Sequence, residues 1–413
     1  MRCFLLLFVV LSLASLARAE NISALGARPD WKRLDGFQRT ITKDEFTQLL
    51  DKVYAPGGAA NGQVIVKDTF ADIRKSGDDW FRLEFAATPE SRKPTPRYWK
   101  PPVPGSTTAR EPLKGIHVAL DPGHIGGDFA KMEERWFQIG ADRPIMEGEM
   151  TLIVARLLEA RLRSLGAKVT YVRRAAKPVT PFRPEDLKKV AQAELRKQGI
   201  ANPPATYPPR APGRTKTIQG YSELLFYRTA EISARADLVN DRLKPDVVIA
   251  LHFNAEDWGD PDKPRLTNIT HLHLLVNGKY GADELKYDDQ RFEMLLKLLN
   301  RSYQAEVSWS KPVAAALARD TGLPPYTYMG GNASAVAGQP YIWKRNLRAN
   351  RLYECPVIFT EPYIMNCRAD YIRMQMGDYT GLKSVEGRMR KSIYREYADA
   401  VADGLAAAVR TAP

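Results

Sequence analysis

The chain has 413 residues, of which 44% are hydrophobic and 26% charged, enough apolar surface to bury a sizeable core and to exclude disorder throughout. Its length suggests two or three domains. The formal net charge of +13 favours attraction to polyanions, and the N-terminal segment narrows which kind.

Arg2 is followed by the apolar run Phe4 to Leu13 and then by Ala17-Arg18-Ala19, the small-x-small form of a secretory cleavage site. The run is too short for a stable membrane anchor, and no later stretch is apolar enough to cross a bilayer. Residues 1–19 therefore read as a signal peptide, and the mature chain as exported, periplasmic or extracellular, with no transmembrane segment. Export argues against nucleic acid as a partner and favours an anionic wall polymer or membrane surface. Cys3 leaves with the signal, so Cys355 and Cys367 remain on either side of Glu361. An exported chain permits a disulfide, but the strand between them has to turn back before the sulfurs can meet. No Cys-x-x-Cys pair is present, which leaves histidine and carboxylate as the available metal ligands.

Residues 20–88 read as a small α+β domain. Thr42 and Glu45 have capping-box spacing, with Phe46, Leu49, Leu50 and Val53 on one helical face. Strand-like runs follow at Val64 to Val66 and at Phe81, Leu83 and Phe85. Nothing in this unit has catalytic spacing. The proline-rich, basic stretch 89–113 is an extended linker, with Trp99 available to dock it.

From residue 114 to 413, β-rich runs alternate with helical patterns, which predicts an α/β fold of three layers with a largely parallel sheet flanked by helices. Strands are expected at Ile116 to Leu120, Val169 to Arg173, Val247 to Leu251, Leu272 to Val276 and Val357 to Thr360. Helices are expected at Leu152 to Leu165, Asp186 to Lys197, Ser222 to Arg242, Lys311 to Arg319 and Glu386 to Val409. Pro324 to Ala337, rich in Gly, Pro and Tyr, reads as a long surface loop.

Three of the strands end in reactive side chains. Asp121-Pro122-Gly123-His124 closes the first, His252-Phe253-Asn254-Ala255 follows another, and Glu361 ends a third. Open α/β sheets bind ligands at this edge. Glu147, at the front of a helix, can reach it. Two histidines and a glutamate suit a catalytic zinc site with one open position, and a second glutamate can move protons.

In this order the motifs resemble those of the zinc-dependent N-acetylmuramoyl-L-alanine amidases of the amidase type 3 family. Asp121-Pro122-Gly123-His124 looks like the first ligand motif, Glu147 to Leu152 like the second, and His252-Phe253-Asn254-Ala255 like the third. Arg235 and Asn240 match a helix pattern ahead of that third segment, and Pro356 to Glu361, continuing to Asn366, resembles the catalytic glutamate segment. The resemblance covers residues 115 to 410. It implies zinc held by His124, Glu147 and His252, Glu361 as the catalytic acid and base, and peptidoglycan as substrate, cut between N-acetylmuramic acid and L-alanine.

Several features depart from the family pattern. Ile125 separates His124 from Gly126-Gly127, and the longer segment 128–146 adds Glu133 and Glu134. Glu147 is preferred to Glu149 because its distance to Leu152 fits the helix pattern. Long insertions at about 175–220 and 256–310 depart from the minimal domain and bear on substrate access; the one after Ala255 reads either as a lid or as a passive surface extension, and the sequence names no protein activator. Asn254 either contacts substrate or stabilises the strand exit, and Asp121 either forms the turn or supports the site. His271 and His273 alternate on one strand face without a third ligand and read as part of an ordinary, partly exposed strand. His117 reads as structural, and Lys344, Arg345, Arg348 and Arg351 as a solvated face. Two rival functions remain open: a metallopeptidase acting on another wall amide, and a wall-binding protein without turnover.

Overall fold

A computed structural model of the chain describes residues 20–102, 110–208 and 213–410. The signal-peptide reading of residues 1–19 lies outside the described residues. Near the N-terminus, α1 (Lys43–Leu49) begins at the expected cap, where the Thr42 hydroxyl accepts from the Glu45 backbone N–H at 3.3 Å. It is followed by an antiparallel sheet of β1 (Val64–Val66), β2 (Phe70–Ser76) and β3 (Asp79–Glu84).

The larger part of the chain builds on β4 (His117–Pro122). A short ribbon of β5 (Trp136–Phe137) and β6 (Ile145–Met146) leads directly into α2 (Glu147–Ser164), and β7 (Lys168–Tyr171) follows. After α3 (Lys188–Lys197), α4 (Ile218–Leu224) and α5 (Glu231–Asp237) are joined and extended by π-helical turns where a single helix was expected. Then come β8 (Val247–Leu251), β9 (Leu272–Val276), α6 (Asp288–Leu299) and α7 (Ser302–Thr321). The last elements needed here are β10 (Ala333–Val336), β11 (Gln339–Arg345), α8 (Arg348–Leu352), β12 (Val357–Pro362), α9 (Arg368–Gln375) and α10 (Ile393–Arg410).

Seven strands form one sheet in the order β10-β11-β9-β12-β8-β4-β7. The ladders β12/β8, β8/β4 and β4/β7 are parallel, as is β11/β9, whereas β9 runs antiparallel to β12 and β10 antiparallel to β11. The sheet is thus mainly parallel, as predicted. Its central strands are buried on both faces, which is why they read as continuous Val/Ile/Leu runs. On one face, Val118, Leu120, Ile249 and Leu274 pack with α2, α7 and α10; on the other, Ala119, Val248, Ala250 and Phe359 pack with Val239, Tyr353 and Trp99.

Three expectations change. The loop expected at Pro324 to Ala337 contains β10, which pairs with β11 through residues suited to an edge hairpin around Gly338. The insertion after Ala255 contributes α6, whose Phe292, Leu295 and Leu299 share a core with Phe46, Ile73 and Leu83 of the N-terminal unit. The basic run is largely built in. Arg351 meets Glu293 at 2.5 Å, Arg348 donates to the Ser233 hydroxyl at 3.2 Å, and Lys344 donates to the Lys52 carbonyl at 2.8 Å. Cys355 and Cys367 are both buried free thiols. No helix among the described residues is long and apolar enough to cross a membrane.

Candidate metal centre and cleft

Parallel pairing brings three strand ends to one edge. Pro122 of β4 lies beside Leu251 of β8, and Thr360 of β12 lies beside Leu251 on its other side. The next residues at each end include His124, His252 and Glu361, all of which line one cleft of about 1000 Å³.

His124 adopts a left-handed backbone, with φ 56°, a conformation costing roughly 1–2 kcal/mol for a residue with a Cβ. Two buried guanidinium groups hold the turn that imposes it. Arg173 donates to the carbonyls of Pro122, Gly123 and Ile125 at 3.0–3.3 Å, and Arg235 donates to those of Pro122 and His124 at 3.1 and 3.0 Å. Glu133 completes the frame by accepting from the backbone N–H groups of Ile125 and Gly126 at 2.9–3.1 Å. Asp121 belongs to the same frame: it pairs with Arg235 at 2.9 Å and accepts from the Tyr353 hydroxyl at 2.6 Å. It therefore does more than form the turn.

Two glycines explain the close approach of these segments. A Cβ on Gly123 would lie 2.2 Å from the His252 ring, and one on Gly148 would lie 2.4 Å from the Gly126 nitrogen. Gly148 lets the first turn of α2 come up beneath the His124 turn, placing Glu147 between the two histidines. Glu147 is 1% exposed. One of its oxygens is 3.2 Å from His124 Nε2 and the other 3.0 Å from His252 Nδ1. Arg135 also reaches Glu147, at 3.2 Å.

Ligand atoms of His124, Glu147 and His252 all lie within 4.8 Å of one another. The separations of 3.2 and 3.0 Å compare with a tetrahedral edge of about 3.4 Å around an ion bound at about 2.1 Å. Electrostatics suit a cation as well. Burial, helped by Arg135 and outweighing the attraction of Glu147, drives the His124 pKa well below its usual value, so the imidazole is neutral. Burial pushes the Glu147 carboxyl up, but His124, His252 and Arg135 outweigh it and keep the group ionised. Two imidazoles around a buried carboxylate form a donor set that fits zinc. The alternative acids lie elsewhere: Glu133 sits behind His124, Glu134 faces Arg214 at 3.3 Å, and Glu149 is outside the converging group.

Glu361 lines the same cleft as this trio. Burial raises its pKa, but His273, then His252 and Arg345, bring it down to about 2. Asn254 lines the same cleft, with its side-chain carbonyl accepting from the Ala255 N–H at 2.7 Å. The largest departure from expectation is β9. Its five residues are all buried, and His273 contacts Glu361 at 2.8 Å. Alternating histidines beside the strand that ends in a reactive glutamate were the available signal. His117 bonds Thr170 at 2.9 Å and is structural, as expected.

Fold and site together define an α/β protein with a His-Glu-His group that could hold a metal ion at the carboxyl edge of its sheet and a glutamate lining the same cleft. No family model matches the sequence, and no curated protein matches it. Among solved structures, it is similar to the N-acetylmuramyl-L-alanine amidase Ami1 from Mycobacterium smegmatis, at 17% identity and a TM-score of 0.37, covering 72% of this chain and 98% of that one. It is also similar to the CwlD amidase from Clostridioides difficile in complex with the GerS lipoprotein, at 12% identity and a TM-score of 0.39, covering 71% and 98%. The N-acetylmuramoyl-L-alanine amidase AmiC2 of Nostoc punctiforme matches at 14% identity and a TM-score of 0.33, covering 71% and 96%.

Proposed function

We propose that this protein is an exported zinc hydrolase that cleaves the amide bond between N-acetylmuramic acid and L-alanine in peptidoglycan. The observation that carries the reading is the convergence of His124, Glu147 and His252 in one cleft that Glu361 also lines. The ordered motifs around these residues support the choice of bond. Residues 1–19 act as the export signal, 20–88 as a small accessory domain whose core is completed by α6, 89–113 as linker and the rest of 114–413 as the catalytic domain.

His124, Glu147 and His252 hold the metal. When bound, zinc supplies the Lewis acidity that makes water nucleophilic near neutral pH and polarises the amide carbonyl. Glu361, ionised at neutral pH, takes a proton from the attacking water and delivers it to the departing amine. Oxygen joins the lactyl carbonyl carbon, the C–N bond breaks, and L-alanine leaves with a free amino group. Amide nitrogen is a poor leaving group until protonated, so the carboxylate is needed in both halves of the reaction. The side-chain N–H groups of Asn254 meet the substrate.

Digestion of purified peptidoglycan followed by fragment analysis tests the assignment. Intact stem peptides with free alanine amino termini are expected, whereas cuts inside the stem would make the protein a peptidase. Chelation should abolish activity and zinc restore it. Glu361→Ala should fold, retain zinc and lose about 10²–10⁴-fold in kcat; wild-type turnover by this variant would remove Glu361 from the mechanism.

A further inference from the structure

His273 has no place in the chemistry derived so far, yet it is fully buried directly behind the reactive carboxylate. β9 and β12 run antiparallel with Glu361 opposite His273, and directly opposed residues on one face of such a pair are near neighbours. The contact joins His273 Nε2 to Glu361 Oε2 at 2.8 Å. The imidazole is 0% exposed, whereas the Glu361 side chain keeps 19% of its surface open to the cleft. One residue therefore meets substrate and the other meets only protein.

The ring has little freedom to turn. It packs against Tyr326 at 5.1 Å between centroids and meets Tyr328 edge-on at 5.3 Å. The Tyr328 hydroxyl lies 3.0 Å from the same Nε2, and Arg345 donates to that hydroxyl at 3.4 Å. A carboxylate only accepts, so Nε2 carries the proton that bonds Glu361. Nδ1 has no partner among the described residues, so the contact to Glu361 and Tyr328 is made through Nε2 alone. A second cation site does not account for the histidine, because among the described residues the only converging ligand group is His124, Glu147 and His252.

We propose that His273, braced by Tyr328 and Arg345, is a positioning residue that fixes the Glu361 carboxylate in the orientation facing the metal ligands. The inference rests on Glu361 being the base. A misplacement of about 1 Å at a reacting group can cost on the order of 10²-fold in rate, which sets the expected size of the effect.

The test uses the full chain with zinc bound. His273→Leu should lower kcat by about 10²-fold, with KM within about twofold of wild type and zinc content unchanged. His273→Gln, which keeps an N–H donor, should recover a substantial part of that loss. In a Glu361→Ala background, His273→Leu should have no further effect, because its route to the reaction is already gone. Equal additional losses with and without Glu361 would overturn the proposal. So would wild-type kcat in His273→Leu, equal impairment of the Leu and Gln variants, or loss of zinc or of the folded state in both. If Glu361→Ala itself kept wild-type turnover, the assignment of the base would fail, which is a separate result.

Discussion

At the histidine side of the cleft, the carbonyls of four successive residues, Pro122 to Ile125, accept from two buried guanidinium groups. At the glutamate side, Glu361 meets one imidazole across an antiparallel ladder. The first arrangement fixes backbone, including a left-handed histidine; the second fixes a side chain on regular strand. The metal ligand set proposed for His124, Glu147 and His252 tolerates little drift in any of three residues, which suits a backbone frame. A proton carrier must face water and leaving group in turn, which suits a carboxylate held at one oxygen.

Removing a ligand should produce the largest effect and fall wholly on the histidine side. His252→Ala is expected to lose bound zinc, read as metal per chain, and to bring peptidoglycan hydrolysis to background. Retention of stoichiometric zinc would separate His252 from the metal centre and erase the contrast between the two sides.

The frame behind His124 is the next place to press. Arg235 is buried between Asp121 and Glu231, at 2.9 and 2.7 Å. Arg235→Met leaves both carboxylates buried without their counter-charge, so a loss of about 3–5 kcal/mol is expected in urea unfolding. Zinc affinity should fall with it, since the His124 carbonyl loses its donor. A stable variant with weakened zinc binding would assign Arg235 to the site alone.

The glutamate side should show itself in acid. The Glu361 carboxyl lies at about 2 in the folded chain against an ordinary value of 4.5. A depressed folded pKa adds stability above the unfolded pKa, and that contribution disappears as pH falls from about 4.5 to about 2. Metal-free wild type should therefore lose more stability across this window than Glu361→Gln does. Parallel pH–stability curves for the two proteins would show that the His273 contact contributes nothing to folding.

The two sides also differed in how far the sequence revealed them. Apolar runs ending at His124, His252 and Glu361 locate the reactive edge, because parallel strands buried on both faces have a distinctive composition. Glu147 was legible from its distance to Leu152, and the glycine that admits it, Gly148, stands next to it. His273 was legible only as one of two alternating histidines. Its importance depends on β9 running antiparallel to β12, a pairing between segments far apart in sequence that no local pattern encodes. The same limit hid α6: its apolar face completes the core of residues 20–88, so its partner lies in another part of the chain. Arg173 resembled any other basic residue until the turn it holds was in place.

One side chain touches both halves, and its removal should have the smallest effect. The Tyr397 hydroxyl, on α10, lies 3.1 Å from the His252 carbonyl, 3.2 Å from the Thr360 carbonyl and 2.5 Å from the Thr360 hydroxyl. It thereby ties the exit of β8 to that of β12. Tyr397→Phe keeps the ring in the core but removes these bonds, at an expected cost of about 1–2 kcal/mol in urea unfolding. If the two sides are held independently, zinc content should stay at wild type and kcat should change by less than about threefold. A larger fall in kcat, with zinc intact, would mean that Tyr397 sets the spacing between the metal ligands and Glu361 through the strand ends, and the cleft would then be one frame rather than two.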